Sequence, residues 1–125
     1  MGYYLTMMKM KVWHTSLADF GAFDAAFIGS STGHKGICAG FFFSLNSRHS
    51  SHKADGEEGW ITYEVELTIS NPATAKTYEE AAEKWGEGED SVAALTATGH
   101  DALILANGEE IVVWDTSKIH IVRKF

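Results

Sequence analysis

The chain is nearly devoid of cysteine, since Cys38 is the only one among 125 residues. A single cysteine excludes an intramolecular disulfide and is typical of a protein that resides in a reducing compartment. Long apolar runs are absent too, because none approaches the roughly 20 residues that cross a bilayer. The first residues, MGYYLTMMKMK, contain no leader-like apolar core. These absences predict a cytoplasmic protein that does not insert into a membrane.

Basic residues are scarce as well. Lys and Arg total 10 against 17 Asp and Glu, so the net charge is −7. The chain therefore lacks the cationic face that a nucleic-acid backbone requires, which argues against DNA or RNA as a partner. Its 45% hydrophobic and 12% aromatic content is that of a globular protein. We expect one domain over residues 1–125, with 1–7 as a candidate loose tail.

Alternation of apolar and polar residues predicts two long strands. In residues 8–14 the alternation places Val12 and His14 on one face. Residues 61–70 alternate strictly, and Thr62 and Glu64 belong to the half that is expected to face water. Such a strand is half-buried in an antiparallel sheet, and the Asn-Pro step at 71–72 ends it.

Three segments have the features of short helices. Residues 20–27 contain three phenylalanines at spacings of three and four, which place them on one helical face. Thr77 and Glu80 have the spacing of a capping box, in which a side chain and a backbone N–H satisfy each other at a helix start. Residues 91–98 follow as another predicted helix, and Gly99 supplies its stop.

The end of the chain predicts three strands in quick succession, at residues 100–106, 109–115 and 118–125. Asn107-Gly108 between two apolar strands is a strong signal for a tight hairpin. Residues 46–59 are polar and have no period, which predicts a mobile loop. Strands with a few short helices between them indicate an α+β fold with an antiparallel core.

Three residues at the ends of predicted strands could carry chemistry. Glu110 opens an apolar strand directly after the hairpin turn, His14 lies at the exit of the first strand, and Phe42 lies in the segment 40–44. Taken singly, each has a simpler interpretation: a carboxylate on a wet rim, a satisfied polar residue and a core aromatic. Taken together, a histidine, an aromatic ring and a carboxylate suit a site that binds a flat cationic ring.

The order of these motifs resembles the ADP-ribosyltransferase fold, in the His-Tyr-Glu branch of diphtheria toxin and poly(ADP-ribose) polymerase. The chain is most similar to the small ADP-ribosyltransferase domains of phage polyvalent proteins. Those carry a His-Gly-Ser strand, a Phe-x-x-Phe-Asp segment, a Gly-x-Tyr-Phe-Thr strand, an Asn-Pro step and a terminal Glu-Tyr-Val-Val-Phe-Asp. The counterparts here are His14-Thr15-Ser16, Phe20 to Asp24, Gly40 to Ser44, Asn71-Pro72 and Glu110 to Asp115.

The resemblance covers nearly the whole chain and implies both a fold and an activity. The implied fold is a split antiparallel β-sandwich with a few short helices. The implied activity is that of an NAD-dependent mono-ADP-ribosyltransferase, with NAD as substrate, no metal, and a macromolecular acceptor such as a protein, in the host cytoplasm if the chain is phage-encoded. Glu110 would hold the 2′-hydroxyl of the nicotinamide ribose and stabilise the oxocarbenium-like charge that forms when nicotinamide departs.

The same resemblance assigns the residues that would bind NAD. His14, followed by Ser16 in the same motif, would orient a ribose hydroxyl. Thr15, where the family has glycine, would bind the nicotinamide carboxamide through its main chain. Phe42, where the family has tyrosine, would stack on the nicotinamide ring, and Ser44 would lie beside the ribose or the catalytic carboxylate.

Other interpretations remain open at this point. The substitutions at Thr15 and Phe42 are compatible with a catalytically inactive ADP-ribosyltransferase-fold module that recognises NAD or a protein, or with a phage structural or interaction protein. The arginine-modifying branch carries Glu-x-Glu, whereas Gly108 is two residues before Glu110, which favours another acceptor. Zinc binding by the histidines at 34, 49 and 52 lacks cysteine partners at tetrahedral spacing. Cys38 is most simply a small buried residue.

Overall fold

The alternating segments form strands of one sheet in the computed structural model, which describes residues 7–16, 19–24, 39–45, 59–105 and 108–125. Its helices and strands, in chain order, are β1 (Met8–Ser16), β2 (Phe41–Ser44), β3 (Ile61–Ile69), β4 (Pro72–Thr74), α1 (Tyr78–Trp85), α2 (Gly88–Ala97), β5 (Ala102–Leu105), β6 (Glu110–Val113) and β7 (Ile119–Lys124). A single 3₁₀ turn, Thr116–Lys118, precedes β7. No helix among the described residues is long and apolar enough to span a membrane.

The seven strands lie in the order β4-β5-β6-β2-β1-β3-β7. Every neighbouring pair is antiparallel except β4 and β5, which run parallel. A mixed sheet with two helices confirms the α+β class predicted from the sequence.

The pairing between β1 and β2, called the seam below, is less extensive than the pairing of either strand with its other neighbour. Every residue of β1 is paired with a residue of β3, and every residue of β2 with a residue of β6. Among the described residues, by contrast, β1 and β2 share one registered pair, Trp13 with Ser44. The sheet therefore consists of two halves, β4-β5-β6-β2 and β1-β3-β7, which meet at this pair.

Each face of the sheet carries its own apolar core. The first, called the aromatic core below, contains Val12, Phe23, Phe41, Phe43, Tyr63, Val65, Leu67, Ile69, Ala102, Ile111 and Val113. The second, called the helix-side core below, lies where α1 and α2 cover β5 and β6, and contains Ala73, Ala75, Ala81, Leu95, Leu103, Leu105 and Val112. Full burial of a leucine such as Leu95 stabilises the fold by about 1.5–3 kcal/mol. The helices thus hold the β5–β6 half of the sheet from one side only.

The predicted start of α1 is confirmed. The Oγ1 of Thr77 accepts a hydrogen bond from the Glu80 backbone N–H, with 3.1 Å between the two atoms. The Glu80 carboxylate does not close the box on Thr77; it accepts from the backbone N–H of Lys76 at 2.9 Å. α2 begins at Gly88, earlier than predicted, and Gly99 follows its end with φ of 83°.

The predicted helix over residues 20–27 is wrong for the part that the structure describes. Residues 19–24 contain bends and no helix, and residues 25–27 lie outside the described ranges. The backbone N–H of Phe20 donates to the Tyr63 hydroxyl at 3.1 Å, and the two rings stack with centroids 4.4 Å apart. Phe20 and Phe23 both pack onto the sheet. Their spacing therefore arises from contact with the aromatic core and not from one face of a helix.

The polar face of β3 was predicted to face water, and this is wrong for Thr62 and Glu64. Thr62 is fully buried and Glu64 is only 8% exposed. β3 lies between β1 and β7, where Trp13 and Arg123 flank Glu64 on the same face. An internal strand has neighbours on both sides, and alternation alone does not reveal what covers each face.

The hairpin predicted at 107–108 joins β5 and β6, with Leu105 opposite Glu110. Asn107 lies outside the described residues, but Gly108 has φ of 88°, which a tight turn of this kind requires. Residues 46–58 of the predicted mobile loop also lie outside the described ranges.

Gly40 directly precedes β2 and lies close to β6, and its substitution tests this packing. A Cβ at Gly40 would lie 2.6 Å from Cγ1 of Val112 and 3.0 Å from the carbonyl oxygen of Val113. We expect Gly40→Ala to lower the free energy of unfolding by about 1–3 kcal/mol, measured by chemical denaturation. Gly21→Ala is the matched control, because no atom of the described residues, apart from its chain neighbours, lies within 4 Å of its added Cβ. Equal stabilities of the two variants would contradict the close approach.

Candidate functional site

A straight row of side chains crosses the seam on the face that the helices cover. Glu110 is paired with Ser44, Ser44 with Trp13, and Trp13 with Glu64. Residues that are directly opposite each other in antiparallel strands point to the same face of a sheet. The row therefore brings two carboxylates, a hydroxyl and an indole from four strands onto one surface.

Phe42 and Thr15 extend this surface. Phe42 is two residues before Ser44 and opposite Val112, so that it shares their face, and it is half-buried against the helix-side core. Thr15 is two residues after Trp13 and opposite Thr62, and it is buried. Four of the sequence-predicted site residues thus lie together: Thr15, Phe42, Ser44 and Glu110.

Glu110 is held by a partner that the sequence did not reveal. Its Oε1 accepts a short hydrogen bond from the hydroxyl of Tyr78, the first residue of α1. Burial, the hydrogen bond to Glu110 and the negative charge of Glu110 all raise the pKa of Tyr78, so the phenol is protonated at neutral pH. The only local signal was the capping residue Thr77, which predicts that a helix starts there but does not say which strand it faces.

His14 lies on the other face of the sheet. Its ring packs edge-on against Phe23, with centroids 5.1 Å apart, and is tilted against Phe43 at 5.6 Å. The side chain is 6% exposed, and burial lowers the pKa of His14, while a hydrogen bond to Phe42 partly opposes that effect. His14 is therefore a neutral member of the aromatic core.

The contact between His14 and the site runs through the backbone of Phe42. Nδ1 of His14 lies 2.8 Å from the carbonyl oxygen of Phe42. A carbonyl oxygen can only accept, so the proton of the neutral ring is on Nδ1, and Nε2 carries a lone pair. The histidine side chain thereby bridges the seam just where the registered pairing of β1 and β2 ends.

The expectation that His14, Phe42 and Glu110 open onto one cleft is thus wrong for His14. Strand alternation is the physical reason, because neighbouring residues of β1 point to opposite faces and Trp13 already occupies the face of Glu110. Ser16, which is fully buried, shares the parity of His14 and not that of Thr15. The structure brings together one set of candidates and separates His14 and Ser16 from it.

Two further polar residues on this surface were missed by sequence reasoning. The Glu64 carboxylate pairs with Nε of Arg123 at 3.4 Å, and the arginine side chain is largely exposed. The Thr62 hydroxyl oxygen is buried and has no hydrogen-bond partner among the described residues. Both belong to the polar positions of β3, which the alternation predicted to face water. For that reason neither was predicted as a site residue.

No group of three or more His, Cys, Asp or Glu side chains among the described residues could hold a metal ion. His34, His49, His52 and Cys38 lie outside those residues. The zinc alternative therefore stays a sequence-level interpretation.

Comparison with protein-family models and with curated proteins finds no match to the chain. The resemblance to ADP-ribosyltransferases therefore stays a prediction from the order of the sequence motifs.

The burial of neutral His14 predicts a pH dependence of stability. Below pH 6.5, the ordinary pKa of histidine, the unfolded chain takes up a proton that folded His14 does not. The free energy of unfolding should therefore fall as the pH drops from 6.5 toward the lower folded-state pKa. His14→Gln keeps an N–H donor for Phe42 but cannot titrate, so urea denaturation at a series of pH values should show a flatter dependence.

His120→Gln is the matched control for this effect, because His120 is exposed on β7. It should retain the slope of the unmodified protein. If His14→Gln retained that slope as well, the assignment of a buried neutral His14 would be refuted.

Proposed function

We propose that the chain is an NAD-dependent mono-ADP-ribosyltransferase, which cleaves the bond between nicotinamide and ribose in NAD and transfers ADP-ribose to a macromolecular acceptor, most simply a protein. The observation that carries this proposal is the grouping of Glu110, Ser44 and Phe42 on one face of two adjacent strands. Those are three of the positions at which the resembling family places its carboxylate, its hydroxyl and its stacking ring. In this proposal the chain acts in the cytoplasm, and in a host's cytoplasm if a phage encodes it.

The chemistry of the surface suits the reaction. Departure of nicotinamide leaves positive charge on the ribose, and a fixed carboxylate in a partly dry site stabilises that charge. Glu110 is half-buried, and the hydroxyl of Tyr78 orients its carboxylate. The face of Phe42 attracts the cationic nicotinamide ring before the bond breaks. Glu110 would therefore stabilise the charge on the ribose, and Phe42 would hold the nicotinamide ring.

In this proposal the flat ring binds at the seam. Thr15 and Phe42 lie on the same face of the sheet and on the same side of the registered pair of Trp13 and Ser44. A nicotinamide ring that enters beside Phe42 would meet the main chain of Thr15, as the resemblance implies. His14 would act as a positioning residue, since its Nδ1–H holds the Phe42 carbonyl.

The second candidate is a module of the same fold that binds NAD or a protein without turnover. The position of His14 favours it, because the ring that would orient the ribose packs into the aromatic core. Release of nicotinamide separates the two candidates, since a binding module leaves NAD intact.

The deciding experiment incubates the full chain with NAD that is labelled in both the nicotinamide and the adenosine. Free nicotinamide reports cleavage, and label that precipitates with protein or nucleic acid reports transfer. Cleavage with transfer supports the proposal. Binding of NAD without either product supports the second candidate.

Glu110→Gln tests the carboxylate directly. The amide can still hydrogen-bond the ribose but carries no charge, so NAD affinity should change little while the rate of nicotinamide release falls by at least 10²–10³-fold, on the order seen when one such electrostatic group is removed. Glu109→Gln is the matched control, because Glu109 is exposed and precedes β6. Equal losses in both variants would refute the assigned register, and no loss in either would refute the enzyme.

Phe42→Ala tests the stacking ring by its effect on NAD binding. Loss of the aromatic face should weaken binding by about 1–2 kcal/mol, measured by calorimetry on variants with unchanged circular dichroism. Phe42→Tyr, which restores the residue of the resembling family, should bind at least as tightly as the unmodified chain. An affinity of Phe42→Ala equal to that of Phe42→Tyr would exclude stacking at this position.

A further inference from the structure

A phenol of the same chain lies within hydrogen-bond distance of the candidate catalytic carboxylate. The hydroxyl of Tyr78 donates to Oε1 of Glu110, and the tyrosine is 38% exposed. Any group that Glu110 holds against its carboxylate therefore lies within a few atoms of the Tyr78 oxygen. This contact is more than a support for Glu110, because a phenol oxygen is also a competent acceptor of a glycosyl group.

Tyr78 and Phe42 belong to segments on different sides of β6. The chain that leads to Tyr78 runs along β5, where the backbone N–H of Ala75 donates to the Ile104 carbonyl at 2.9 Å. β5 and β2 lie on opposite sides of β6 in the sheet. A ribose held by Glu110 would then lie between the strand of Phe42 and the segment that leads to Tyr78, so that the phenol could attack from the side away from nicotinamide.

The position of Tyr78 is held by its neighbours. Thr77 caps α1 by accepting from the Glu80 backbone N–H, and the Glu80 carboxylate accepts from the Lys76 backbone N–H. Lys84 adds an ion pair to Glu80, with 3.1 Å between Nζ and Oε1. The first turn of α1 thus presents the phenol at a defined place, which lowers the entropic cost of bringing it to the ribose.

We propose that Tyr78 is an acceptor of ADP-ribose, so that the protein modifies itself on this phenol. The inference rests on the proposed function and deepens it by naming a phenolic hydroxyl as an acceptor class. The Tyr78 oxygen attacks C1′ of the nicotinamide ribose and forms a C–O bond. The C1′–N bond breaks, its electron pair leaves with neutral nicotinamide, and the phenol proton passes to Glu110 and then to water.

Glu110 would serve this step as a general base as well as a charge stabiliser. It already accepts the proton that must leave, so no rearrangement is needed for proton transfer. The raised pKa of Tyr78, caused by burial and by Glu110, keeps the phenol protonated until the attack begins. The product is an O-glycoside, which differs chemically from the ester that a modified carboxylate would carry.

The other described tyrosine is a matched control. Tyr63 is fully buried on the opposite face, and its hydroxyl accepts from the Phe20 backbone N–H. It does not approach Glu110, which lies across the sheet. Removal of its hydroxyl should therefore leave any self-modification in place.

The test incubates the full chain with labelled NAD and maps the label by peptide mass spectrometry. We expect one ADP-ribose on the peptide that contains Tyr78, and this label should survive neutral hydroxylamine, which removes ADP-ribose from carboxylate esters. Tyr78→Phe should lose the label, whereas Tyr63→Phe should keep it. Label at other residues with none on Tyr78 would overturn the inference.

Two measurements separate the failures and define the route. Nicotinamide release without label on Tyr78 would overturn this inference alone, whereas the absence of both would overturn the proposed function with it. In a mixture of unmodified chain and tagged Glu110→Gln chain, the tagged Tyr78 should stay unlabelled, because the geometry joins Tyr78 to the Glu110 of its own chain. Label on the tagged chain would overturn modification within one molecule.

Discussion

The junction between β1 and β2 joins the two halves of the sheet, and the candidate site depends on two of its contacts. One is the registered pair of Trp13 and Ser44, and the other is the hydrogen bond from Nδ1 of His14 to the Phe42 carbonyl. The first aligns the strand of Glu64 with the strand of Glu110 through a single row of side chains. In the second contact, the buried, uncharged ring of His14 donates to a carbonyl that a backbone N–H would bond in a regular sheet. Burial and hydrogen bonding of this one histidine therefore help to hold β1 beside β2 at the seam.

The two cores lie on opposite faces of the sheet and affect the candidate site in different ways. The aromatic core surrounds His14 and leaves it no charge, because a charged ring among phenylalanines would lose its hydration. The helix-side core lies beneath the site and brings α1 within reach of Glu110. The same packing that stabilises the β5–β6 half thus brings the Tyr78 hydroxyl to the candidate carboxylate, and it ties the geometry of the site to the stability of the helices.

Local sequence patterns predicted much of the fold and part of the candidate site. The strand at 61–69, the capping of α1 by Thr77 and the hairpin before Glu110 are confirmed, because each depends on residues close together in the chain. The spacing of phenylalanines after residue 19 is also local, yet it led to a wrong helix. Phe20 instead packs on Tyr63, which is 43 residues away in sequence. This long-range contact outweighs the local tendency of the segment to form a helix.

The sequence by itself determined most of the strands and the two helices after residue 76, and it placed Phe42, Ser44 and Glu110 on strands in which alternation shows which side chains share a face. Only the tertiary structure decided that His14 faces the aromatic core, that Thr62 and Glu64 are buried, and that Tyr78 meets Glu110. Periodicity reports which side chains share a face, whereas the identity of the neighbouring strand, and of whatever covers that face, depends on contacts between distant parts of the chain. Those contacts are selected by packing of the whole domain, and no local pattern encodes them.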